Sequence, residues 1–345
     1  MLRRMRWTCL AGLLVLVGFG CEGESEEAAV PDAGSANDVA VADTASAADA
    51  SVAPDEGGPE PDTATPPDTG PVFPAAAALP ATFGGERPAD YHLPENYDPA
   101  QSYPMVLLLH GYGANLGTPG SGGMIQDSYL KLSSFVTERQ FVTLIPHGTS
   151  DLQNNQFWNA HPACCDFGGT GVDDVAYLTA LLDEVSESVN IDSKRIYLMG
   201  HSNGAFMSYR MACETPERFA AVLGLAGMAT DCVNEVPVSV LHVHGTLDTT
   251  IPYAGKTSPN GYISARETAE YWAQRNGCTT GPAETGAADL TTAVVGDESV
   301  LEGWSGCNEA AEVALWTLVG GGHIPAFTDD FMPNALDWLL ARARP

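Results

Sequence analysis

Five consecutive residues, Gly200-His201-Ser202-Asn203-Gly204, set a serine between glycines in a GxSxG pattern. The run Arg195–Met199 before it is strand-like and a helical period opens at Asn203, so the serine stands on a strand-to-helix turn. The glycines suit a turn too tight for side chains, and the N–H groups that open the helix favour negative charge. A serine hydroxyl becomes a competent nucleophile only when a base takes its proton, and the base needs an acid to orient it. Asp248 and His323 follow Ser202 in the chain order that a strand-GxSxG-helix nucleophile requires. Asp248 closes His244-Gly245-Thr246-Leu247-Asp248 and His323 closes Gly320-Gly321-Gly322-His323, each beyond an apolar run. The chemistry implied is acyl transfer through a covalent serine intermediate. That chemistry needs N–H donors for an oxyanion. Leu107-Leu108-Leu109-His110-Gly111-Tyr112-Gly113 puts a His-Gly turn after the first central strand, which makes the backbone N–H groups of Tyr112 and Asn203 the expected donors.

Other chemistry-bearing residues read more simply. His110 and His244 end strands before glycines and are expected to shape turns or a pocket floor, while His201 is expected beneath the nucleophile. His242 and His244 alternate on a strand and share a face, but no third ligand has the spacing a zinc site needs, so no metal is expected. Asp173 and Asp174 open a helical period, where carboxylates cap the helix and complement its dipole. No organic cofactor is implied.

For Ser202, Asp248 and His323 to meet, their strands must end at one edge of one sheet. The expected strands are Met105–His110, Phe141–Pro146, Ile196–Met199, Ala221–Ala226, Val238–His244 and Val313–Val319. They are nearly continuous apolar runs, as for strands covered on both faces. Between them, Val175, Leu178, Leu182, Val185 and Val189 step by three and four residues as an amphipathic helix does. Further helices are expected over Ser128–Arg139, Asn203–Cys213, Ser264–Arg275 and Pro333–Arg342. Alternating strands and helices predict the α/β class, with a mostly parallel central sheet and helices on both faces.

Composition divides the 345 residues into three parts. Residues 1–21 hold three arginines and no acid, followed by an apolar run from Leu10 to Phe19. This describes an export signal, too short to span a bilayer. Its end, Gly20-Cys21, resembles the lipobox of bacterial lipoproteins, in which Cys21 is lipidated; Gly18 and Phe19 depart from the usual residues. Residues 22–80 are dominated by Ala, Asp, Glu, Pro, Gly, Ser and Thr, and 22–72 carry 13 acids and no base. Such a segment has little apolar surface to offset the entropy of ordering and is expected to be an extended, disordered tether. The globular part is 81–345. A net charge of -29 without a basic stripe cannot neutralise phosphates, which excludes nucleic acid as a partner. Contact with a membrane is expected only through a lipid on Cys21. Export makes the compartment oxidising, so the six cysteines at 164, 165, 213, 232, 278 and 307 are expected in disulfides, with fifteen pairings open. Cys164 and Cys165 are not expected to join each other, because neighbouring Cα atoms across a trans peptide stand about 3.8 Å apart and disulfides prefer more.

Several stretches together resemble the secreted α/β-hydrolase esterases of the polyhydroxybutyrate depolymerase-like and feruloyl or acetylxylan esterase-like family. They are Leu107–Asn115, Trp158 with Cys164-Cys165-Asp166, Val172–Val175, Arg195–Tyr209, Phe219–Gly227, Val243–Tyr253 and Gly320–His323, and the similarity spans 81–345. The resemblance implies the α/β-hydrolase fold and a triad of Ser202, Asp248 and His323. It implies an extracytoplasmic serine esterase acting on feruloyl or acetyl esters of plant polysaccharide, or on short hydroxyalkanoate esters. Bridges Cys278–Cys307 and Cys213–Cys232 are implied in the same way, with Cys164 and Cys165 unassigned. Trp158, His201 and Ile324 are expected around the substrate pocket. After the histidine the family often carries Thr-Trp-Pro; here Ile324-Pro325-Ala326-Phe327 stands instead, which weakens inference of the substrate but not of the chemistry. A peptidase or acyltransferase could use the same triad. A non-catalytic surface-binding protein on this scaffold is the alternative of another class.

Overall fold

The computed structural model describes residues 71–228, 232–258 and 260–345. The expected export signal, Cys21 and the tether up to residue 70 lie outside the described residues. Where the tether was expected to end, Ala76–Ala78 form a short 3-10 turn and Leu79 packs against the core.

The elements in chain order are β1 (Ala89–His92), β2 (Tyr103–Leu109), α1 (Gly122–Leu130), α2 (Val136–Arg139), β3 (Val142–Pro146), β4 (Thr149–Ser150) and β5 (Gln156–Phe157). Then come α3 (Asp174–Ser188), β6 (Ile191–His201), α4 (Asn203–Glu214), β7 (Ala221–Leu225) and β8 (Ser239–Gly245). The chain ends with α5 (Ala265–Arg275), β9 (Thr280–Ala288), β10 (Ser299–Ser305), β11 (Val313–Leu318) and α6 (Phe331–Leu340). One nine-stranded sheet runs β1-β3-β2-β6-β7-β8-β11-β10-β9. The six strands from β3 to β11 are mutually parallel, and β1, β10 and β9 pair antiparallel at the two margins. This is the α/β-hydrolase arrangement.

The apolar strands are covered on both sides. Along β2, Met105, Leu107 and Leu109 face the core built with α3, α4 and α5, while Val106 and Leu108 face the core built with α1, α2 and α6. Each buried side chain of this size stabilises the fold by roughly 1.5–3 kcal/mol, which is why these strands carry no polar alternation. Asp173 caps α3 by accepting from the Ala176 N–H at 2.9 Å. Asp174 does more than complement a dipole: it is buried, pairs with Arg87 at 2.6 Å and accepts from the Asn159 N–H at 2.6 Å. A capping box between Ser264 and Glu267 starts α5.

The segment expected as a single helix, Ser128–Arg139, is broken. Helix α1 begins earlier, at Gly122, and ends where Lys131 takes a left-handed φ of 56°, after which a 3-10 turn leads into α2. The early start depends on two glycines: a Cβ on Gly123 would come within 2.6 Å of the Ile145 side chain, and one on Gly122 within 2.9 Å of Gln156. Glycine pairs read as a loop in sequence, whereas here they let a helix approach the sheet.

Cys213–Cys232 and Cys278–Cys307 are bridged. Contrary to expectation, Cys164 is bridged to Cys165; the peptide between them is cis, and their Cα atoms stand 3.0 Å apart, not at the trans spacing that the expectation assumed. Among the described residues no helix is long and apolar enough to cross a membrane, and no group of three potential ligands could hold a metal ion.

Burial also fixes charge states. His110 and His201 are pushed down to about 4, in each case chiefly by desolvation, and His242 is pushed well below its ordinary value by desolvation and by His244. An unfolded histidine titrates near 6.5, so between about 4 and 6.5 the unfolded chain binds more protons than the folded one. The stabilisation is therefore complete above pH 6.5 and is lost as pH falls towards 4, by on the order of 3 kcal/mol each for His110 and His201, with His242 acting in the same direction. Urea midpoints measured from pH 7.5 down to 4.5 should fall steadily, and a midpoint unchanged over that range would contradict the neutral burial of these three side chains.

Candidate active site

Ser202 sits between β6 and α4 with φ 54° and ψ −121°, a backbone conformation that a non-glycine residue holds only under surrounding constraint. The two flanking glycines are steric necessities. A Cβ on Gly204 would lie 2.1 Å from the carbonyl oxygen of Leu109, and one on Gly200 would lie 2.2 Å from that of Gly204. The helix can therefore start directly against the end of β2. The serine hydroxyl is thereby presented at the C-terminal edge of the parallel strands.

Asp248 lies on the loop after β8 and His323 on the loop after β11, at that same edge. His323 Nε2 is 2.9 Å from Ser202 Oγ, and its Nδ1 is 2.7 Å from Asp248 Oδ2. The other carboxylate oxygen, Oδ1, accepts from the backbone N–H groups of Thr250 and Ile251, both at 2.8 Å. Burial alone would raise the Asp248 carboxyl. Hydrogen bonds from His244 and His323, the charge of His323 and the Ile251 N–H outweigh it and hold the group well below the usual carboxylate range. Asp248 thus stays anionic, oriented and beside an imidazole that it can hold in one tautomer.

The His-Gly turn after β2 meets this serine. Gly111 is so placed that a Cβ on it would touch Ser202 Cβ at 3.4 Å. Among the described residues, the backbone N–H groups of Tyr112 and Asn203 have no acceptor. The Tyr112 ring is fixed on its far side, where its hydroxyl donates to Asp151 at 2.6 Å and accepts from Asn155 at 3.0 Å. The Asn203 side chain is occupied elsewhere: it accepts from the Trp158 N–H at 2.7 Å and donates to the Trp158 carbonyl at 2.9 Å. Only its main chain is free to act at the site.

A cavity of about 370 Å³ opens on Ser202 and His323, walled by Tyr112, Tyr129, His201 and Ile324 among others. His201 donates from Nε2 to the His323 carbonyl at 2.9 Å and so supports the loop that carries His323. Ile324 is 67% exposed and forms an outer lip. Trp158, expected to line the pocket, is not among the residues that wall this cavity. It is fully buried, its indole N–H donates to the His110 carbonyl at 3.0 Å, and its ring packs in the core, away from the cavity. The expectation that it lines the pocket confused the scaffold of the site with its wall. Sequence reasoning passed over Gln126 and Tyr129, which reach the cavity from α1. Nothing at fixed spacing from the motifs marks them; an earlier start for α1 was the one available signal.

Residues 81–286, more than half the chain, match the model of the Esterase family, described as "Putative esterase". Curated relatives include feruloyl esterase B of Piromyces equi, 29% identical over 49% of this chain and 31% of that protein. Feruloyl esterase D of Neurospora crassa is 24% identical over 71% of this chain and 77% of that protein, and probable feruloyl esterase C of Aspergillus niger is 28% identical over 54% and 60%. The chain thus spans under a third of the first of these and 60% of the third. Similar solved structures include an acetyl xylan esterase from Aspergillus awamori and a Bacillus cereus carboxylesterase. Both are 16% identical, cover 74% of this chain and 94% of the other, and have a TM-score of 0.47. With residues 81–286 matching its model, the chain belongs to the Esterase family.

Proposed function

We propose that this chain is an extracytoplasmic serine hydrolase of carboxylic esters. The observation that carries the reading is the unbroken series from Asp248 through His323 to Ser202 at 2.7 and 2.9 Å, with two N–H groups beside the serine that have no acceptor among the described residues. Ser202 Oγ attacks the ester carbonyl carbon while its proton passes to His323 Nε2. Asp248 stabilises the imidazolium that forms, and the N–H groups of Tyr112 and Asn203 receive the oxyanion. The ester C–O bond then breaks and His323 returns the proton to the departing alcohol, leaving an acyl-serine. A water molecule deprotonated by the same imidazole attacks that acyl-serine, the acyl C–Oγ bond breaks, and the imidazolium returns its proton to Ser202 Oγ as the acid leaves. None of these steps calls on a metal or organic cofactor.

The substrate class comes from relatives named for feruloyl and acetylxylan ester hydrolysis. It covers feruloyl or acetyl esters of plant polysaccharide, with short hydroxyalkanoate esters as the further class carried by the motif resemblance. The basic, apolar N-terminus followed by Gly20-Cys21 supports export with a lipid on Cys21, and residues 22–80 supply a tether between that lipid and the catalytic domain, 81–345.

Acid release by the full chain from methyl ferulate, acetylated xylan and a 3-hydroxybutyrate oligomer tests the chemistry. Ser202→Ala should lower kcat by about 10⁶, and Asp248→Asn by about 10⁴ because an amide favours the wrong imidazole tautomer. Wild-type turnover by either variant would refute the triad. For the anchor, Cys21→Ala should abolish incorporation of labelled fatty acid and move the protein from the membrane fraction to the soluble one; unchanged labelling would remove Cys21 as the acceptor.

A further inference from the structure

Two histidines on β8 have no part in the reaction as described, yet they stand directly behind its acid. His242 and His244 point to the same face of the strand, towards α4. The Tyr209 hydroxyl on that helix is 2.7 Å from His242 Nδ1, His242 Nε2 is 3.2 Å from His244 Nδ1, and His244 Nε2 is 2.8 Å from the Ile251 carbonyl. The same Nε2 lies 3.3 Å from Asp248 Oδ2. All three side chains are fully buried.

Both ends of this series set its direction. The Ile251 carbonyl can only accept, so His244 Nε2 carries a proton. The buried Tyr209 hydroxyl has His242 Nδ1 as its one partner among the described residues, so it donates there. His242 must then be neutral with its proton on Nε2, which donates to His244 Nδ1. Every donor points along the series to the Ile251 carbonyl, three residues from Asp248, and Asp248 Oδ2 stands 3.3 Å from the last nitrogen. Sequence also makes room for it: Gly224 on β7 lies opposite His242, and a Cβ there would come within 2.4 Å of the Tyr209 hydroxyl.

We propose that Tyr209, His242 and His244 form a directed hydrogen-bond chain that ends on the Ile251 carbonyl and so positions the loop of Asp248, with the same N–H 3.3 Å from Oδ2 as a weaker second contact beside His323. They are positioning residues, and the proposal rests on the triad reading above. Its consequence is that Oδ2 takes its hydrogen bond from His323 at 2.7 Å while a second imidazole N–H stands beside it at 3.3 Å. Removing the His244 donor leaves the carboxylate to His323 alone, which favours the charged form of that base. The groups facing the chain agree with a neutral path: Tyr253 presents its ring edge to His244, Trp272 lies 5.9 Å from the Tyr209 ring, and Thr317 is engaged by the Tyr253 hydroxyl at 2.9 Å. The titratable groups that act on His244 and Asp248 are His323 and His201, with Tyr253 against the His244 ring and Tyr262 facing Asp248.

The test uses the full chain with 4-nitrophenyl acetate. His244→Leu should lower kcat about tenfold with KM unchanged and move the acidic limb of the kcat/KM profile up by about one pH unit, the scale of a hydrogen bond to a charged group. His244→Gln, which keeps an N–H near Asp248, should recover most of the rate and return the limb. Tyr209→Phe removes one oxygen atom and should shift the limb in the same direction by less. A limb that stays in place in all three variants, or Gln no better than Leu, would overturn the chain. Should His244→Leu not fold, Tyr209→Phe decides the kinetics, and imidazole nitrogen-15 spectra of the unaltered protein decide the geometry. They should show both His242 and His244 neutral with the proton on Nε2 between pH 6 and 8. A proton on Nδ1 of either would overturn the proposal. The spectra need no turnover, so an inactive wild-type protein would sink the esterase reading and leave the chain to be judged by its tautomers.

Discussion

The left-handed turn at Ser202 is the constraint around which the rest of the site is arranged. A residue held at φ 54° costs about 1–3 kcal/mol, and it persists only where its surroundings leave no alternative. Here the surroundings are β2, β6 and β7, whose C-terminal ends leave space for the first turn of α4 and nothing more. The Ser202 N–H donates to the Leu225 carbonyl on β7 at 2.8 Å, which ties the turn to the next strand. Asn203 then clamps both backbone groups of Trp158, and the Trp158 indole holds the His110 carbonyl. One turn thus fixes the His-Gly loop that offers the Tyr112 N–H. The Ser202 hydroxyl and the Tyr112 and Asn203 N–H groups share a single frame.

A parallel sheet supplies the other members. Because β6, β8 and β11 run the same way, the loops that follow them emerge at one edge, and residues more than a hundred positions apart meet there. Meeting is not enough, since a carboxylate in a buried place tends to take up a proton. Asp248 resists because its loop bends back so that two backbone N–H groups hold Oδ1, while His323 holds Oδ2 and the His244 imidazole stands 3.3 Å from it. The loop geometry acts as much on charge as on position.

How far this was legible in the sequence varied with the kind of signal. Strands β2, β3, β6, β7, β8 and β11 stand out because burial on both faces forces unbroken apolar runs. The marginal strands β1, β9 and β10 gave no such pattern; β9 reads Thr-Gly-Pro-Ala-Glu-Thr-Gly-Ala-Ala and is largely exposed, so neither propensity nor periodicity marks it. Ser202, Asp248 and His323 were found because each follows a legible strand, and the sheet does bring them together. Trp158 was misplaced since a tryptophan near a motif carries no information on which side of the backbone it packs. The cis peptide between Cys164 and Cys165 is a tertiary outcome with no local signature in a non-proline pair. His242 and His244 were seen to share a face. Their connection to Tyr209 needed α4 to be docked on the sheet.

The same contrast separates chemistry from selectivity. The segment that departs from the family pattern, Ile324-Pro325-Ala326-Phe327, begins at the residue after His323. The Tyr129 hydroxyl on α1 donates to the Pro325 carbonyl at 2.8 Å, and Phe327 stacks on Phe331 of α6 with ring centres 3.6 Å apart. These anchors hold Ile324 outward as a lip and leave a second cavity of about 660 Å³ on the far side of Tyr129. Residues on α1 and α6 with no motif of their own therefore decide the shape next to the base. His323 itself stands on the loop after β11, held at its ring by Asp248 and at its carbonyl by His201. A loop can diverge here and change what fits the cleft while the hydrogen bonds from Asp248 to Ser202 stay as they are.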